Sequence, residues 1–201
     1  MPLASALSML GHDDSAVRFG RLAQELKDTR PETKQYCART IIPVHTFVHH
    51  ITKPLHESLD PMLYAYKVGM ETGDCPFGFL AAATYAGIYF VCGLPLRALQ
   101  DDLKSFAQQM STYNQTLSGS LLQVYWQTVL NFMGRSHNPL VLTREAMDQQ
   151  QLSQVMQNAN QVETIRVIWY CRMVLAFQLP TTKTGIYYCR KKSNKIKAAD
   201  N

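Results

Sequence analysis

Residues 75–96, CPFGFLAAATYAGIYFVCGLPL, decide the fold, because none of these 22 consecutive side chains is charged. A helix of this length is long enough to cross a bilayer. Pro76, Gly78, Gly93 and Pro95 shorten its uninterrupted helical part to about 16 residues, and its flanks lack a strong positive-inside pattern. We therefore predict a central helix that is buried on all sides by other helices.

The alternative for residues 75–96 is a single membrane span. The chain would then be a small membrane protein whose basic C-terminus stays on the cytoplasmic side. Resistance to alkaline carbonate extraction would favour this alternative, whereas a buried helix predicts that the chain is released.

Helical periodicity continues on both sides of this stretch. Glycine and proline together number only 19 of 201 residues, and alanine, leucine, methionine and glutamine dominate the middle of the chain. Val17, Leu22 and Leu26 form the apolar stripe of the first predicted helix. Besides the central helix within residues 75–96, the predicted helices cover residues 15–27, 31–52, 55–72, 95–110, 111–133, 152–158 and 163–177. The sequence therefore predicts an all-α fold.

Turn residues separate these helices. Gly73 suits a left-handed helix end, and Asp74 can cap the helix that follows. Pro43 is expected to kink the helix that contains it. Gly134 ends another helix, and Thr143 is expected to open a further short one.

The formal charge of +5 belongs to the C-terminus. Residues 181–201 carry six cations against Asp200, which leaves residues 1–180 neutral, with 14 basic and 14 acidic side chains. The folded body is therefore not expected to bind nucleic acid. The basic tail, which is expected to be disordered, consists of Arg190, Lys191, Lys192, Lys195 and Lys197. Such a cluster suits a nuclear-import signal, a nucleic-acid arm or an acidic-membrane contact, although a solvated tail is commoner.

These observations predict the domain organisation of the chain and its cellular compartment. We predict an N-terminal extension over residues 1–13, a helical-repeat domain over residues 14–179 and the basic tail over residues 180–201. The five cysteines are odd in number and form no C-x-x-C pair, which indicates reduced and mostly buried thiols in a cytoplasmic protein. Cys189, beside three cations, is the predicted reactive thiol.

The sequence offers no catalytic constellation. Neither the phosphate-binding loop nor the kinase signatures occur, and G-x-S-x-G is missing. His45 and His49 have the spacing of a helical zinc site, but the intervening residues lack the glutamate that such a site uses. We therefore predict no catalytic residue, no cofactor and no metal ligand.

The residues that follow Ala82 have the spacing of a tetratricopeptide repeat. Small residues at Ala82 and Ala86 alternate with Tyr85 and Tyr89, and Gly93 closes the helix. In solenoids of this kind, small residues lie where two helices touch and large ones lie where repeats stack. This pattern predicts a right-handed superhelix of antiparallel helix hairpins.

Longer stretches of the sequence resemble a known family. The phrases that carry the resemblance are VRFGRLAQELKD (17–28), VHTFVHHITKPLHESLDPMLYAYKVGMETGD (44–74), FLAAATYAGIYFVCGLPL (79–96) and VYWQTVLNFMG (124–134). They resemble the helical-repeat region of multidomain predicted AAA/STAND-type ATPases, which combine a serine/threonine kinase domain, a P-loop ATPase, a GAF domain and often a histidine kinase. The resemblance covers about residues 14–177.

The resemblance implies a non-catalytic function. In these proteins the helical region lies between the ATPase and the sensor modules and couples a bound signal to the nucleotide state. We therefore expect a non-catalytic scaffold and relay segment, whose partner is another protein or the missing flanking domains. Because residues 179–201 depart from the family's continuing helices, the alternative is a truncated fragment of a full-length ATP-binding kinase or ATPase.

Aromatic residues are the candidates for a partner surface. Tyr64, Tyr85 and Tyr89 belong to a series that could line a peptide groove. Aromatic residues at helical spacing are more often core residues, and Tyr64 is the expected surface member.

Overall fold

The computed structural model describes residues 3–179, and within this range the chain forms ten α-helices and two short 3₁₀ helices, without a strand. This confirms the all-α prediction. The α-helices are α1 Leu3–Met9, α2 Asp13–Thr29, α3 Cys37–Phe47, α4 His49–Thr52, α5 Leu59–Glu71, α6 Cys75–Val91, α7 Leu96–Thr112, α8 Thr116–Phe132, α9 Gln149–Asn158 and α10 Val162–Gln178. The described part of the chain divides into two compact units, residues 3–119 and residues 120–179, and α8 crosses the boundary.

Helix α6 is the centre of the first unit. Ten of its residues are buried, and α3, α5 and α7 pack against it. The predicted buried central helix is therefore confirmed. No helix of residues 3–179 combines the length and the apolar character that crossing a bilayer requires.

Helices α5, α6 and α7 follow one another through tight turns. Gly73 has a φ of +79° and Gly93 a φ of +68°, a conformation in which glycine avoids the steric penalty of a Cβ atom. Because only Thr72, Gly73 and Asp74 separate α5 from α6, the two helices form an antiparallel hairpin. The helix predicted from Pro95 is also confirmed, with Leu99, Leu103, Phe106 and Met110 buried.

The segment predicted as one kinked helix over residues 31–52 consists of three pieces. It begins as the 3₁₀ helix Pro31–Tyr36, continues as α3 with Pro43 inside it, and restarts as α4. Val48 lies between α3 and α4 with a non-helical φ of −121°. The helix is thus interrupted five residues after the proline, where Val48 is buried against α2.

The N-terminal residues differ from the predicted extension. Helix α1 packs against α2 and α3, and the Ser8 hydroxyl donates to the Phe47 carbonyl at 2.8 Å. The first unit therefore includes these residues. Leu7, together with Ala4, contributes to a small apolar cluster with α2 and with Val48.

Helix α2 buries a different face from the one predicted. Its buried residues are Ala16 and Gly20, whereas Leu22 and Leu26 are exposed. A Cβ atom at Gly20 would lie 3.1 Å from the Val48 side chain, so the glycine permits close packing of the helix. The predicted stripe is therefore wrong for Leu22 and Leu26, whereas Val17 is half-buried and packs against the cluster of Ala4, Ala16 and Val48.

The second unit has its own core. Buried residues of α8, α10 and the loop between α8 and α9 form it: Val124, Leu142, Met147, Ile168, Cys171 and Leu175. The predicted helix at Thr143 is absent from the described residues. Thr143 instead forms an isolated antiparallel bridge with Asp148, and the Thr143 hydroxyl accepts from the Gln149 amide.

Two helix starts in this part of the chain also bear on the predictions. The helix predicted to begin at residue 111 starts at Thr116, because Asn114 turns the chain with a φ of +54°. Asp148 caps α9 by accepting from the Gln151 amide at 2.9 Å. The basic tail and Cys189 lie outside the described residues.

Candidate protein-binding surface

Helix α2 exposes three large apolar side chains in a row. Phe19, Leu22 and Leu26 are 43%, 48% and 44% exposed. Their spacing of three and four residues places them on one stripe of the helix. This stripe lies beside the face through which Ala16 and Gly20 contact the core.

The stripe borders a groove between α1, α2 and α3, which we call the α2 groove. It is lined by Leu3, Ala4, Phe19, Leu22, Ala23, Leu26, Arg39, Thr40, Pro43 and Val44. Eight of these ten residues are apolar. The lining of the groove is therefore mainly apolar, and Arg39 and Thr40 are its polar residues.

Arg39 is fixed where α3 borders the groove. Its guanidinium donates two hydrogen bonds to the Asp74 carboxylate, at 2.8 and 3.0 Å, and stacks on the Phe77 ring at 4.5 Å. Asp74 occupies the predicted N-cap position of α6, but its carboxylate serves this ion pair. The paired geometry holds the guanidinium in one place, as planar bidentate pairs do.

The other edge of the α2 stripe is charged. Arg18, Arg21, Glu25 and Asp28 are all exposed and, at helical spacing, lie along this edge. The surface thus combines an apolar stripe with a charged border, as interaction surfaces commonly do.

The three predicted tyrosines occupy different environments. Tyr64 is 49% exposed, with the Lys27 ammonium 5.8 Å from its ring centroid. Tyr85 is only 5% exposed and its hydroxyl donates to Asp102 at 3.0 Å. Tyr89 is half-buried and donates to the Pro95 carbonyl at 3.4 Å. Tyr85 is therefore a core residue, and Tyr64 is the surface member of the three.

The histidines at positions 45 and 49 belong to a buried polar chain. The Gln24 amide nitrogen lies 3.1 Å from Nε2 of His45, and Nδ1 of His45 lies 3.1 Å from the Ser58 hydroxyl. Ser58 in turn lies 3.3 Å from Nδ1 of His49. If Gln24 donates to His45, then His45 donates to Ser58 and Ser58 donates to His49. This arrangement requires both imidazoles to be neutral.

Burial determines the acid–base properties of these groups. Burial, followed by the nearby His49 and Lys27, lowers the pKa of His45 to about 4. Burial also lowers the pKa of His49. Ser58 is completely buried, so its hydroxyl is not accessible as a nucleophile. Among residues 3–179, no three His, Cys, Asp or Glu side chains are grouped to hold a metal ion.

Three cysteines lie in surroundings that disfavour the charged thiolate. Burial raises the pKa of Cys37, Cys92 and Cys171, in the last case to about 12. A thiol with a raised pKa is mostly protonated at neutral pH and is a poor nucleophile. Cys37 and Cys171 are buried and pack as predicted, whereas Cys92 is only half-buried.

The exposed face of α2 and a polar cluster in the second unit were not predicted from the sequence. In that cluster, buried Asn131 donates to the carbonyls of Pro139 and Val141, and buried Gln127 accepts from the Ala146 amide. For α2, the signal was the pair of small residues, Ala16 and Gly20, at a spacing of four. For the cluster, Gln127 and Asn131 share that spacing on the apolar-rich second half of α8.

No protein-family model, curated protein or solved structure matches this chain. The relationship to the multidomain ATPases is therefore still a prediction from the sequence phrases.

Proposed function

We propose that this chain is a non-catalytic helical scaffold that binds another protein, or another domain of its own polypeptide, in the α2 groove. The observation that carries the proposal is the exposure of Phe19, Leu22 and Leu26 beside an apolar groove. Exposed apolar side chains that cluster, rather than occurring singly, are typical of protein interaction sites. Such binding would cover the stripe and remove it from water.

The shape and chemistry of the groove favour a helical occupant. Two flanking helices and an apolar floor suit an amphipathic helix that inserts side chains at three- and four-residue steps. Arg39 on the α3 side and the charged border of α2 would orient the occupant through polar contacts at the rim. Affinity would come mainly from the buried apolar side chains.

The finer architecture is part of the proposal. We infer that the hairpins of α5, α6 and α7 are tetratricopeptide-like units of a right-handed superhelix. Support comes from the short turns between these helices and from the buried Ala82 and Ala86 on α6. Small residues at such positions allow the helices of one hairpin to approach closely.

The relay role follows from the resemblance to the signalling ATPases. We propose that the scaffold acts in the cytoplasm and transmits a binding event to an ATPase, a kinase or the missing flanking domains. Phe19, Leu22 and Ala23, which belong to the phrases that carry the resemblance, line the α2 groove. The groove would then be the surface through which the region contacts its neighbours.

A partner experiment with matched variants tests the proposal. Proximity labelling in cells would compare the unmodified chain with Leu22→Glu in the groove and with Val155→Glu as a control. Val155 is 48% exposed on α9, outside the groove. Each protein labelled by the unmodified chain would then be purified and titrated against all three chains.

The expected result is a partner that binds the unmodified chain and Val155→Glu alike. A charge at Leu22 should weaken this binding at least about a hundredfold, because a carboxylate would be desolvated in an apolar groove. Equal binding of a purified partner to all three chains would contradict the proposed surface.

A further inference from the structure

The stripe of α2 has the spacing of a helix that pairs with another helix. Phe19, Leu22 and Leu26 are three and four residues apart, the steps that line up along the seam between two paired helices. Their exposure shows that, in the described part of the chain, the seam is not covered. The face therefore has room for a second helix.

The order of charges along the border of α2 indicates what the second helix is. After Asp13 and Asp14 in the first turn, Arg18 and Arg21 precede Glu25 and Asp28 along the helix. Reversing the helix reverses the order of the charges. A second α2 that runs antiparallel therefore sets Arg21 opposite Glu25 and Arg18 opposite Asp28, so the border is complementary to itself.

The contacts within the chain leave most of these charges available. Arg18, Arg21 and Glu25 form no ion pair within the part of the chain that the structure describes. Asp28 contacts the Lys27 ammonium at 2.6 Å, but it is exposed and has acceptor capacity left. The Arg21–Glu25 pair is therefore the sharpest element of the self-complementarity.

We propose that the stripe and groove of α2 bind α2 of a second copy of this chain, forming a symmetric dimer with the two helices antiparallel. The inference rests on the proposed binding role of the α2 groove and names its partner. Two-fold symmetry repeats every contact, so each Arg21–Glu25 pair occurs twice. Phe19, Leu22 and Leu26 of both copies would be removed from water together.

The size of the surface sets the expected strength. A helix of 17 residues is about 25 Å long, and three large apolar side chains per copy make a small interface. Interfaces at the low end of the size range form weak complexes. The dimer should therefore dissociate in the micromolar range and must be measured over a wide span of concentration.

Sedimentation velocity of the full chain tests the dimer. We expect a concentration-dependent shift from monomer to dimer between about 5 and about 500 µM. Leu22→Glu should weaken the dimer at least about a hundredfold, whereas Val155→Glu should leave it unchanged. Circular dichroism would verify that each variant keeps its helix content.

A charge exchange tests the antiparallel pairing itself. Arg21→Glu alone sets Glu against Glu twice, and Glu25→Arg alone sets Arg against Arg twice, so each should weaken the dimer about tenfold. An equimolar mixture of the two variants pairs opposite charges again and should restore dimerisation. Nonspecific association through apolar surface alone would not be restored by mixing the two charge variants.

Two outcomes would overturn the inference. A wild-type chain that is monomeric throughout the concentration range excludes the dimer, and a mixture that stays as weak as its components excludes antiparallel pairing through these charges. If a purified partner still binds the groove of a monomeric chain, the proposed function stands while this inference fails. If neither a partner nor a second copy binds there, both fail.

Discussion

Gly69 of α5 and Gly78 of α6 meet backbone to backbone. A Cβ atom at Gly69 would lie 2.7 Å from the Cα atom of Gly78 and 2.9 Å from its nitrogen. Neither of these atoms is the movable end of a side chain. The crossing of α5 and α6 therefore depends on the absence of a side chain at Gly69.

Replacing Gly69 by alanine should consequently destabilise the first unit. We expect Gly69→Ala to lower the free energy of unfolding by about 2–3 kcal/mol, because the helices must separate to accept the methyl group. Urea unfolding followed by circular dichroism would measure the change.

The matched control is Gly119→Ala. Gly119 is also helical, but a Cβ atom there would meet its nearest neighbour, the Cβ of Met110, at 4.0 Å. Alanine should therefore be neutral or stabilising by about 0.5–1 kcal/mol through its higher helix propensity. Similar effects of the two substitutions would contradict the close crossing.

The buried histidine chain should make the first unit sensitive to acid. Because the pKa of His45 is about 4 in the folded chain and about 6.5 when unfolded, the unfolded state binds more protons between these values. This contribution to stability is complete above about pH 6.5 and decreases as the pH falls towards 4. We expect the free energy of unfolding to drop by about 2 kcal/mol between pH 8 and pH 5.

His45→Asn provides the control for this titration. Asparagine can still donate to Ser58 but does not titrate, so the variant should be less stable at pH 8 and lose less stability on acidification. Chemical unfolding at several pH values would compare the slopes. A slope that is as steep in His45→Asn as in the unmodified chain would exclude His45 as its source.

The Tyr85 hydroxyl should stabilise the packing of α6 on α7. It donates to the Asp102 carboxylate at 3.0 Å from a buried position. Tyr85→Phe removes this bond to a charged acceptor and should lower the free energy of unfolding by about 1–2 kcal/mol, since half-buried Asp102 can regain water.

Tyr64→Phe is the matched substitution on the surface. The Tyr64 hydroxyl makes no hydrogen bond within the described residues, and its removal should change stability by less than about 0.5 kcal/mol. Thermal or urea unfolding of both variants decides the matter. A loss in Tyr64→Phe as large as that in Tyr85→Phe would show that the bond to Asp102 is not the cause.

Asn131 should hold the loop between α8 and α9 in the second unit. Its amide donates to Pro139 at 3.1 Å and to Val141 at 2.9 Å, and its oxygen accepts from Gln127 at 2.9 Å. Asn131→Ala leaves these groups unpaired and should lower the stability of the unit by about 2–4 kcal/mol. Amide hydrogen exchange of residues 138–147 should become faster.

Gln150→Ala on α9 offers the comparison. Gln150 is exposed, so the same loss of an amide side chain should leave exchange in residues 138–147 nearly unchanged. Unaltered exchange in Asn131→Ala would show that the loop is held by its apolar residues alone.

The helices themselves were largely predictable from local sequence. The uncharged residues 75–96 predicted a buried helix, and α6 is that helix. The steps between Leu99, Leu103, Phe106 and Met110 predicted the buried face of α7. The helix breaks were harder to predict. Asn114 adopts a positive φ, a conformation that can be expected in advance at glycine but rarely at other residues.

The candidate surface was not predictable in the same way. On α2 the large residues Leu22 and Leu26 had the periodicity of a core stripe, yet the helix packs through Ala16 and Gly20. Periodicity shows that a helix has an apolar side, but it does not show whether α1 and α3 leave part of that side uncovered. For Tyr85 the sequence left a groove position and the more common core position open, and the structure buries it with its hydroxyl bonded to Asp102.

The sequence by itself determined that the chain is helical and where its central helix lies, because these properties depend on residue type and on spacing along one helix. The tertiary structure alone decided which face of α2 meets the core and how His45, Ser58 and His49 come together. Those outcomes depend on contacts between residues far apart in the chain. In a closely packed core, the volume and shape of a side chain decide whether it fits, as well as its polarity.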